Sequence, residues 1–500
     1  MSTCNAQTSI FSPEHPATTD ALESFTAAQQ IVDIRTMTGQ YVEEDWHLTN
    51  SITPVLCFTT AVLYALYILS FPPPTRLYRR LSILILAIPT WYAFRYSDQL
   101  CPNYNLVDTF ARTCLIWFAH MSYEICVVEF APVLSEEKHD MGEWEQTKEK
   151  VRQGYKVLFD RNHTQVLQQQ QRHHIPRNPD EISATMEKAG EEQYTETDKK
   201  TDEPVMSSTR VQQGVALPMG HRHGYSRWGF VSYHILKGLF YYGLGYVYNL
   251  YETSYSPLVE PPTVYMTPEL ASYFQCFALS VNYQELFWRL EFTFDWCVVS
   301  LWQYEGYHSM FAIFYVGSGL DGPEEWSTAL FGPFSNAWSV RQYWGKHWHN
   351  YVYHSFSGHV KCMTRGWLGM KLADSTRLIE NTLVFLGSGL MHSLVRWQQA
   401  PWGDCWGIAC WYVAQMLPMI FEWGVATHWS KVRRWLGFRA DTRWLNRAEY
   451  AIGYLWVAFW FLYSVPKYYE TRIAWTDAKT VKKFTAELEA AQALNETDAD

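Results

Sequence analysis

The sequence predicts an all-α membrane protein, a bundle of about eight transmembrane helices. Two observations lead to this class: apolar and polar residues are separated into long blocks, and aromatic residues are unusually abundant. Aromatic residues make up 17% of the 500 residues, with 24 Trp and 33 Tyr, and Trp and Tyr favour the boundary between membrane and water. A soluble carbohydrate-binding protein is the less favoured explanation of this composition.

A helix that spans a bilayer needs about 20 mostly apolar residues. The candidate spans are Thr53–Phe71, Leu81–Tyr96, Leu106–Val133, Trp228–Tyr251, Phe292–Val316, Leu378–Trp397, Ile408–Trp423 and Ala451–Val465. Leu270–Leu290 is ambiguous, because it is half apolar and half charged, and it is interpreted as re-entrant or interfacial.

Several candidate spans contain charged residues, among them Asp108, Arg112 and Glu305. Such charges would be costly if they faced lipid. They therefore predict a bundle with a polar or water-filled interior, which a purely structural membrane anchor would not need.

The placement of Lys and Arg predicts the topology. Basic clusters lie between the first two helices, before the helix at residue 378 and before the last helix. With eight spans, all three clusters face the cytosol and both termini lie on the opposite side. We expect a multi-pass protein, located in the endoplasmic reticulum.

The chain divides into five regions by composition. Polar tails occupy residues 1–50 and 471–500, the first helices 51–133, and the remaining helices 226–470. Between the helical parts, residues 134–225 contain a Gln run and a Glu/Lys/Thr-rich stretch. Such a composition buries no core, so this segment is predicted to be a disordered cytosolic loop.

Other features narrow the class further. The net charge of −10 gives no reason to expect a nucleic-acid partner. The ten cysteines lie mostly in apolar segments without paired spacing, and the first 50 residues lack the pattern of a cleavable signal peptide. Insertion is therefore expected to rely on the internal helices.

The first candidate region for chemistry is Arg341-Gln-Tyr-Trp-Gly-Lys-His-Trp-His-Asn350. It combines cations, two histidines, an amide and three aromatic residues just beyond an apolar span. One interpretation is a binding segment for an anionic substrate. The alternative is an amphipathic helix on the membrane surface, and spacing alone leaves the two open.

The second region is Phe385-Leu-Gly-Ser-Gly-Leu-Met-His392. A histidine deep in an apolar helix indicates a functional site, since burying it without a partner is costly. Ser388 precedes His392 by four residues, so the two share a helical face. A packing histidine with satisfied hydrogen bonds is the alternative.

A metal site is not expected. Several histidines crowd residues 347–359, but the HxxHH box of membrane di-iron enzymes is absent and the segment lacks helical His-to-His spacing. No Gly-rich phosphate loop and no GxSxG elbow occurs either. We therefore expect neither a metal nor a bound cofactor.

The two candidate regions resemble the wax-synthase-like branch of the membrane-bound O-acyltransferases. That branch carries Trp-Pro-Pro-Leu-Phe-Gly, then Ser-x-Arg-Asp-Phe-Trp-Gly-Arg-Arg-Trp-His-Gln, and later a helix of the form Phe-x-x-Ser-Gly-x-x-His. This chain has Trp326-Ser-Thr-Ala-Leu-Phe-Gly332, then Ser339-Val-Arg-Gln-Tyr-Trp-Gly-Lys-His-Trp-His-Asn350, and then Phe385-Leu-Gly-Ser-Gly-Leu-Met-His392. The resemblance covers roughly residues 225–470.

The resemblance implies transfer of an acyl group from acyl-CoA, as co-substrate, to a lipophilic alcohol. It makes His392 the candidate base and His349 the group that binds or polarises the thioester carbonyl. The implied substrate-binding residues are Arg341, Trp344, Lys346, Trp348, Asn350 and Ser388. Arg341 and Lys346 suit the CoA phosphates. One of the two tryptophans is expected at the headgroup boundary.

The fungal members of this branch imply acetyl transfer to terpenoid or meroterpenoid alcohols, and the long polar loop favours them. Plant members imply wax esters of long-chain alcohols instead. Where the family has Arg-Arg, this chain has Lys346 and His347, and Asn350 replaces a Gln. These departures leave the choice of acyl chain open. A transporter or a structural membrane protein is the alternative of another class.

Overall fold

The structure, a computed structural model, describes residues 47–101, 104–134, 142–159, 226–255, 283–326, 329–348, 353–399, 406–437 and 442–469. Within these ranges the regular structure is helical. The helices are α1 (Ile52–Ser70), α2 (Arg76–Arg95), α3 (Tyr104–Cys126), α4 (Glu143–Leu158), α5 (Arg227–Tyr255), α6 (Tyr283–Phe294), α7 (Ser300–Gly317), α8 (Tyr353–Lys361), α9 (Asp374–Gln399), α10 (Trp406–Ala414), α11 (Met416–Trp435) and α12 (443–469).

The all-helical membrane class is confirmed in its coarse form. Within the described ranges, three helical segments are long and apolar enough to cross a membrane, namely Leu48–Ser70, Asp374–Gln399 and Trp406–Trp435. A helix also lies at each of the eight predicted positions. The count of eight spans stays a prediction.

The bundle is built from neighbouring pairs. Helix α1 packs on α2 and α4, α5 packs along α7, and α9 packs on α10. A π-helical turn, Asp295–Val299, joins α6 to α7 and turns Trp296 into the interior. Helix α12 adds Phe461 and Val465, both fully buried, to the same core as Trp296.

The expectation of disorder throughout 134–225 is wrong for α4. Its polar residues face outward, but Val157 and Leu158 are buried against the first helices. The indole N–H of Trp117 donates to the carbonyl of Leu158 over 2.9 Å. One apolar edge, held by such contacts, is enough to dock a helix whose average composition is polar. Residues 160–225 lie outside the described ranges.

Four of the charged residues inside the predicted spans form pairs that are largely buried in the protein. Lys237 of α5 donates to Glu305 of α7 over 2.5 Å, and both side chains are largely buried. Asp108 and Arg112 form an ion pair within α3. Pairing offsets the cost of desolvating each charge, which explains how these residues occur in apolar helices.

Candidate active site

The two regions that the sequence singled out lie against each other. Trp344 packs edge-on against Phe385 of α9, with ring centroids 5.4 Å apart, and lies 6.3 Å from the ring of Tyr412 on α10. Residues 339–348 therefore pack on the two helices that carry the candidate histidine and its stacking partner.

His392 lies on α9, half-buried, with its ring stacked on Tyr412 at 4.7 Å and 12° between the planes. Gly389 makes this contact possible. A Cβ at that position would lie 2.9 Å from the Cα of Ala409 and 3.0 Å from the Cβ of Tyr412. Only a residue without a side chain lets α10 come this close. Ser388, also half-buried, lies one turn before His392.

The cationic segment begins with a capped turn. The hydroxyl of Ser339 accepts the backbone N–H of Gln342 over 3.1 Å. The carboxylate of Glu422 on α11 accepts the backbone N–H groups of Val340 and Arg341 over 2.6 and 3.0 Å. The indole N–H of Trp456 donates to the same carboxylate over 2.9 Å. Glu422 thus fixes the start of the segment.

The segment ends in a π-helical turn, Tyr343–His347, that is locked to Gly332. The backbone N–H of Gly332 donates to the carbonyl of His347 over 2.9 Å, and Nδ1–H of His347 donates to the carbonyl of Gly332 over 2.8 Å. His347 replaces an arginine of the family pattern. Its contacts assign it to holding the turn.

Burial lowers the pKa of His347 below its ordinary value near 6.5, although its hydrogen bond to the Gly332 carbonyl opposes the shift. The imidazole of His347 takes up a proton near pH 6.5 in the unfolded chain, but only at a lower pH in the folded chain. This contribution to stability is therefore complete above about pH 6.5 and is lost as the pH falls below it.

We expect His347→Asn to reduce this loss of stability on acidification. Asparagine keeps an N–H donor for the Gly332 carbonyl but does not titrate. The measurement is the thermal midpoint in detergent at pH 7.5 and at pH 5.5. The exposed His428, replaced by Asn, is the control, and equal acid sensitivity in the wild type and His347→Asn would contradict the assignment.

A cluster of stacked rings forms the interior wall of the site. Trp296 is its centre, stacked on Trp348 at 4.7 Å with 7° between the planes and 5.5 Å from Trp344. Trp348 is only 8% exposed, so it is not the tryptophan expected at the headgroup boundary. The reason is that the π-helical turn directs this ring toward Trp296 rather than outward.

Of the remaining predicted site residues, two are described by the structure and two are not. Arg341 and Lys346 are exposed on the outer face of the segment. His349 and Asn350 lie outside the described residues, so their roles stay predictions.

Sequence reasoning missed Tyr412, Glu422 and Trp296. Glu422 had a signal, because it is an acid near the end of the predicted span Ile408–Trp423. Tyr412 and Trp296 had none beyond being aromatic residues among many.

A comparison with known protein families matches the part of the chain that contains the candidate site. Residues 326–414 match the model of the membrane bound O-acyl transferase family, a range that contains Gly332, the cationic segment, His392 and Tyr412. Over 193 residues the chain is 28% identical to acetyltransferase atnC of Arthrinium sp, covering 38% of this chain and 43% of that protein.

Two further relatives are also named acetyltransferases. Acetyltransferase ple2 of Rhodocybe pseudopiperita is 26% identical over 195 residues, 38% of this chain and 48% of that protein. Acetyltransferase aurG of Calcarisporium arbuscula is 30% identical over 170 residues, 32% of this chain and 38% of that protein. The matches thus span less than half of these curated relatives. They confirm the resemblance of this chain to the membrane-bound O-acyltransferases and, within them, to fungal acetyltransferases.

Proposed function

We propose that this chain transfers an acetyl group from acetyl-CoA to the hydroxyl of a lipophilic alcohol, a terpenoid or meroterpenoid. One observation carries the proposal: His392 and the cationic, aromatic segment, about 45 residues apart in the chain, pack together through Trp344 and Tyr412. The names of the fungal relatives support the acetyl donor.

In the proposed reaction, the neutral imidazole of His392 takes the proton of the alcohol as its oxygen attacks the thioester carbonyl. A C–O bond forms, the C–S bond breaks, and the thiol of CoA leaves with a proton. General base catalysis of this kind contributes roughly 10²–10⁴-fold. The stack on Tyr412 holds the ring of His392 in place, and the surrounding rings exclude water that would hydrolyse the thioester.

The donor is expected to approach from the outer face of the segment. Arg341 and Lys346 offer exposed cations for the CoA phosphates. Trp344 of the same segment contacts Tyr412, whose ring stacks on His392, and the acyl end of the donor is proposed to pass along the ring of Trp344. His349, as in the resemblance, is proposed to polarise the carbonyl.

The test is transfer of label in microsomes that contain the protein. Labelled acetyl-CoA and a long-chain acyl-CoA are each incubated with terpenoid alcohols and with long-chain fatty alcohols. We expect acetyl esters of terpenoid alcohols. Exclusive formation of long-chain wax esters would replace the donor and acceptor proposed here, and no ester from any pair, relative to microsomes without the protein, would contradict the function.

We expect Arg341→Ala to raise the apparent KM for acetyl-CoA about 3- to 10-fold with little change in kcat, because an exposed cation contributes modestly to binding an anion. Initial rates at varied acetyl-CoA give both constants. Arg434→Ala, which removes an exposed cation from the distant end of α11, is the control. An unchanged KM would remove Arg341 from the phosphate site.

A further inference from the structure

A second polar cluster lies inside the bundle, next to the candidate base. It contains Asp108 and Arg112 of α3, Tyr304 of α7 and Arg396 of α9. Asp108 is 6% exposed and Arg396 5%. Arg112 forms an ion pair with Asp108, and Nη2 of Arg396 lies 3.6 Å from the other oxygen of the same carboxylate.

The carboxylate of Asp108 therefore interacts with two guanidinium groups. Its Oδ2 faces Arg112, while its Oδ1 faces Arg396 and also lies 3.5 Å from the amide nitrogen of Gln399. One negative charge shared in this way leaves the guanidinium of Arg112 incompletely neutralised, in surroundings where water does little to screen it.

Arg112 has hydrogen-bonding capacity to spare. A guanidinium carries five N–H donors. Here Nη2 faces Asp108, Nη1 donates to the hydroxyl of Tyr304 over 3.0 Å, and Nε–H is buried without an acceptor in the described part of the chain. The side chain as a whole is 19% exposed, so the guanidinium can be approached, although Nε itself is buried.

The position of the cluster relates it to the chemistry. Arg396 follows His392 by four residues, one helical turn or about 6 Å along the axis. Arg112 also interacts electrostatically with Tyr412, whose ring stacks on His392. A group bound by Arg112 would thus lie in the part of the bundle that contains His392 and Tyr412.

The cluster also lies away from the face of the protein at which acyl-CoA is proposed to bind. On the topology that the basic clusters predict, the start of α3 and the end of α9 lie away from the cytosol, whereas Arg341 and Lys346 face it. An exposed pair of cations already suits the CoA phosphates there. The cluster of Asp108, Arg112, Tyr304 and Arg396 is therefore a candidate binding site for the alcohol acceptor.

We propose that Arg112 binds a second oxygen of the acceptor, a carbonyl close to the acylated hydroxyl, and so makes the protein selective for oxygenated alcohols. This inference rests on the proposed acyl transfer to alcohols. A carbonyl oxygen accepts from a charged N–H donor without bringing a second charge into the interior. A plain fatty alcohol has no group to offer Arg112.

The experiment compares two acceptors of one terpenoid skeleton, a hydroxy ketone and the same alcohol without the ketone, with acetyl-CoA as donor. The variants are Arg112→Gln, which removes the charge, and Arg112→Lys, which keeps the partner of Asp108 but loses the fork of donors. We expect Arg112→Gln to lower kcat/KM for the hydroxy ketone about 30-fold more than it lowers the value for the plain alcohol.

We further expect Arg112→Lys to show the same loss in weaker form. The wild type must also show a kcat/KM for the hydroxy ketone that is at least about tenfold higher than for the plain alcohol. This measurement does not depend on whether any variant folds. Equal losses on both acceptors, or no preference in the wild type, would overturn the inference while leaving acyl transfer intact. Absence of transfer from the wild type to either acceptor would instead overturn the proposed function, and the inference with it.

Discussion

Replacement of His392 by alanine is expected to abolish measurable acyl transfer while the protein remains folded in the membrane. The proposed role of this residue is to take the proton of the attacking alcohol, and loss of such a base costs roughly 10²–10⁴-fold. The structure predicts limited damage to folding, because the ring of His392 is only half-buried and alanine gives up its stack on Tyr412.

The measurement is label transfer from acetyl-CoA at matched protein amounts, with abundance and monodispersity checked in detergent extracts. His428→Ala is the matched control, since it removes an exposed histidine from α11 whose hydrogen bond, within the described residues, is a local one to the carbonyl of Gly424 over 2.8 Å. It should retain wild-type activity. If His392→Ala kept more than a tenth of wild-type turnover, His392 would not be the base.

The helices were largely predictable because apolar spans carry their own signal. Thr53–Phe71 was predicted where α1 runs from Ile52 to Ser70, since lipid-facing and core residues are both apolar there. Helix α4 was missed for the opposite reason. Its composition is polar, and only one edge, with Val157 and Leu158, is buried.

The sequence singled out two parts of the candidate site but not the residues that hold them in place. His392 and Trp344 stood out as a histidine in an apolar helix and a ring in a cationic segment. The partners that hold them, Tyr412 and Glu422, come from helices distant in sequence. A single sequence gives the identity of such residues but not which of many aromatic or acidic side chains the packing brings into contact.

Gly332→Ala is expected to reduce acyl transfer about 10²-fold and to lower the thermal midpoint. A Cβ at this position would lie 1.8 Å from the backbone carbonyl oxygen of Lys346. No rotation of a side chain relieves a clash with backbone, so the turn Tyr343–His347 must move. Overpacking of this kind costs about 1–3 kcal/mol, and displacement of a binding segment by about 1 Å can cost 10²-fold in rate.

Gly424→Ala adds the same methyl group to α11, where nothing lies within 4 Å, and should change neither quantity. Because the exchange of hydrogen bonds between Gly332 and His347 fixes where Trp344 meets α9, the two variants separate the position of the segment from the mere presence of a methyl group. Wild-type rates in Gly332→Ala would mean that the chemistry at His392 does not depend on the segment, which would remove the observation on which the proposed function rests.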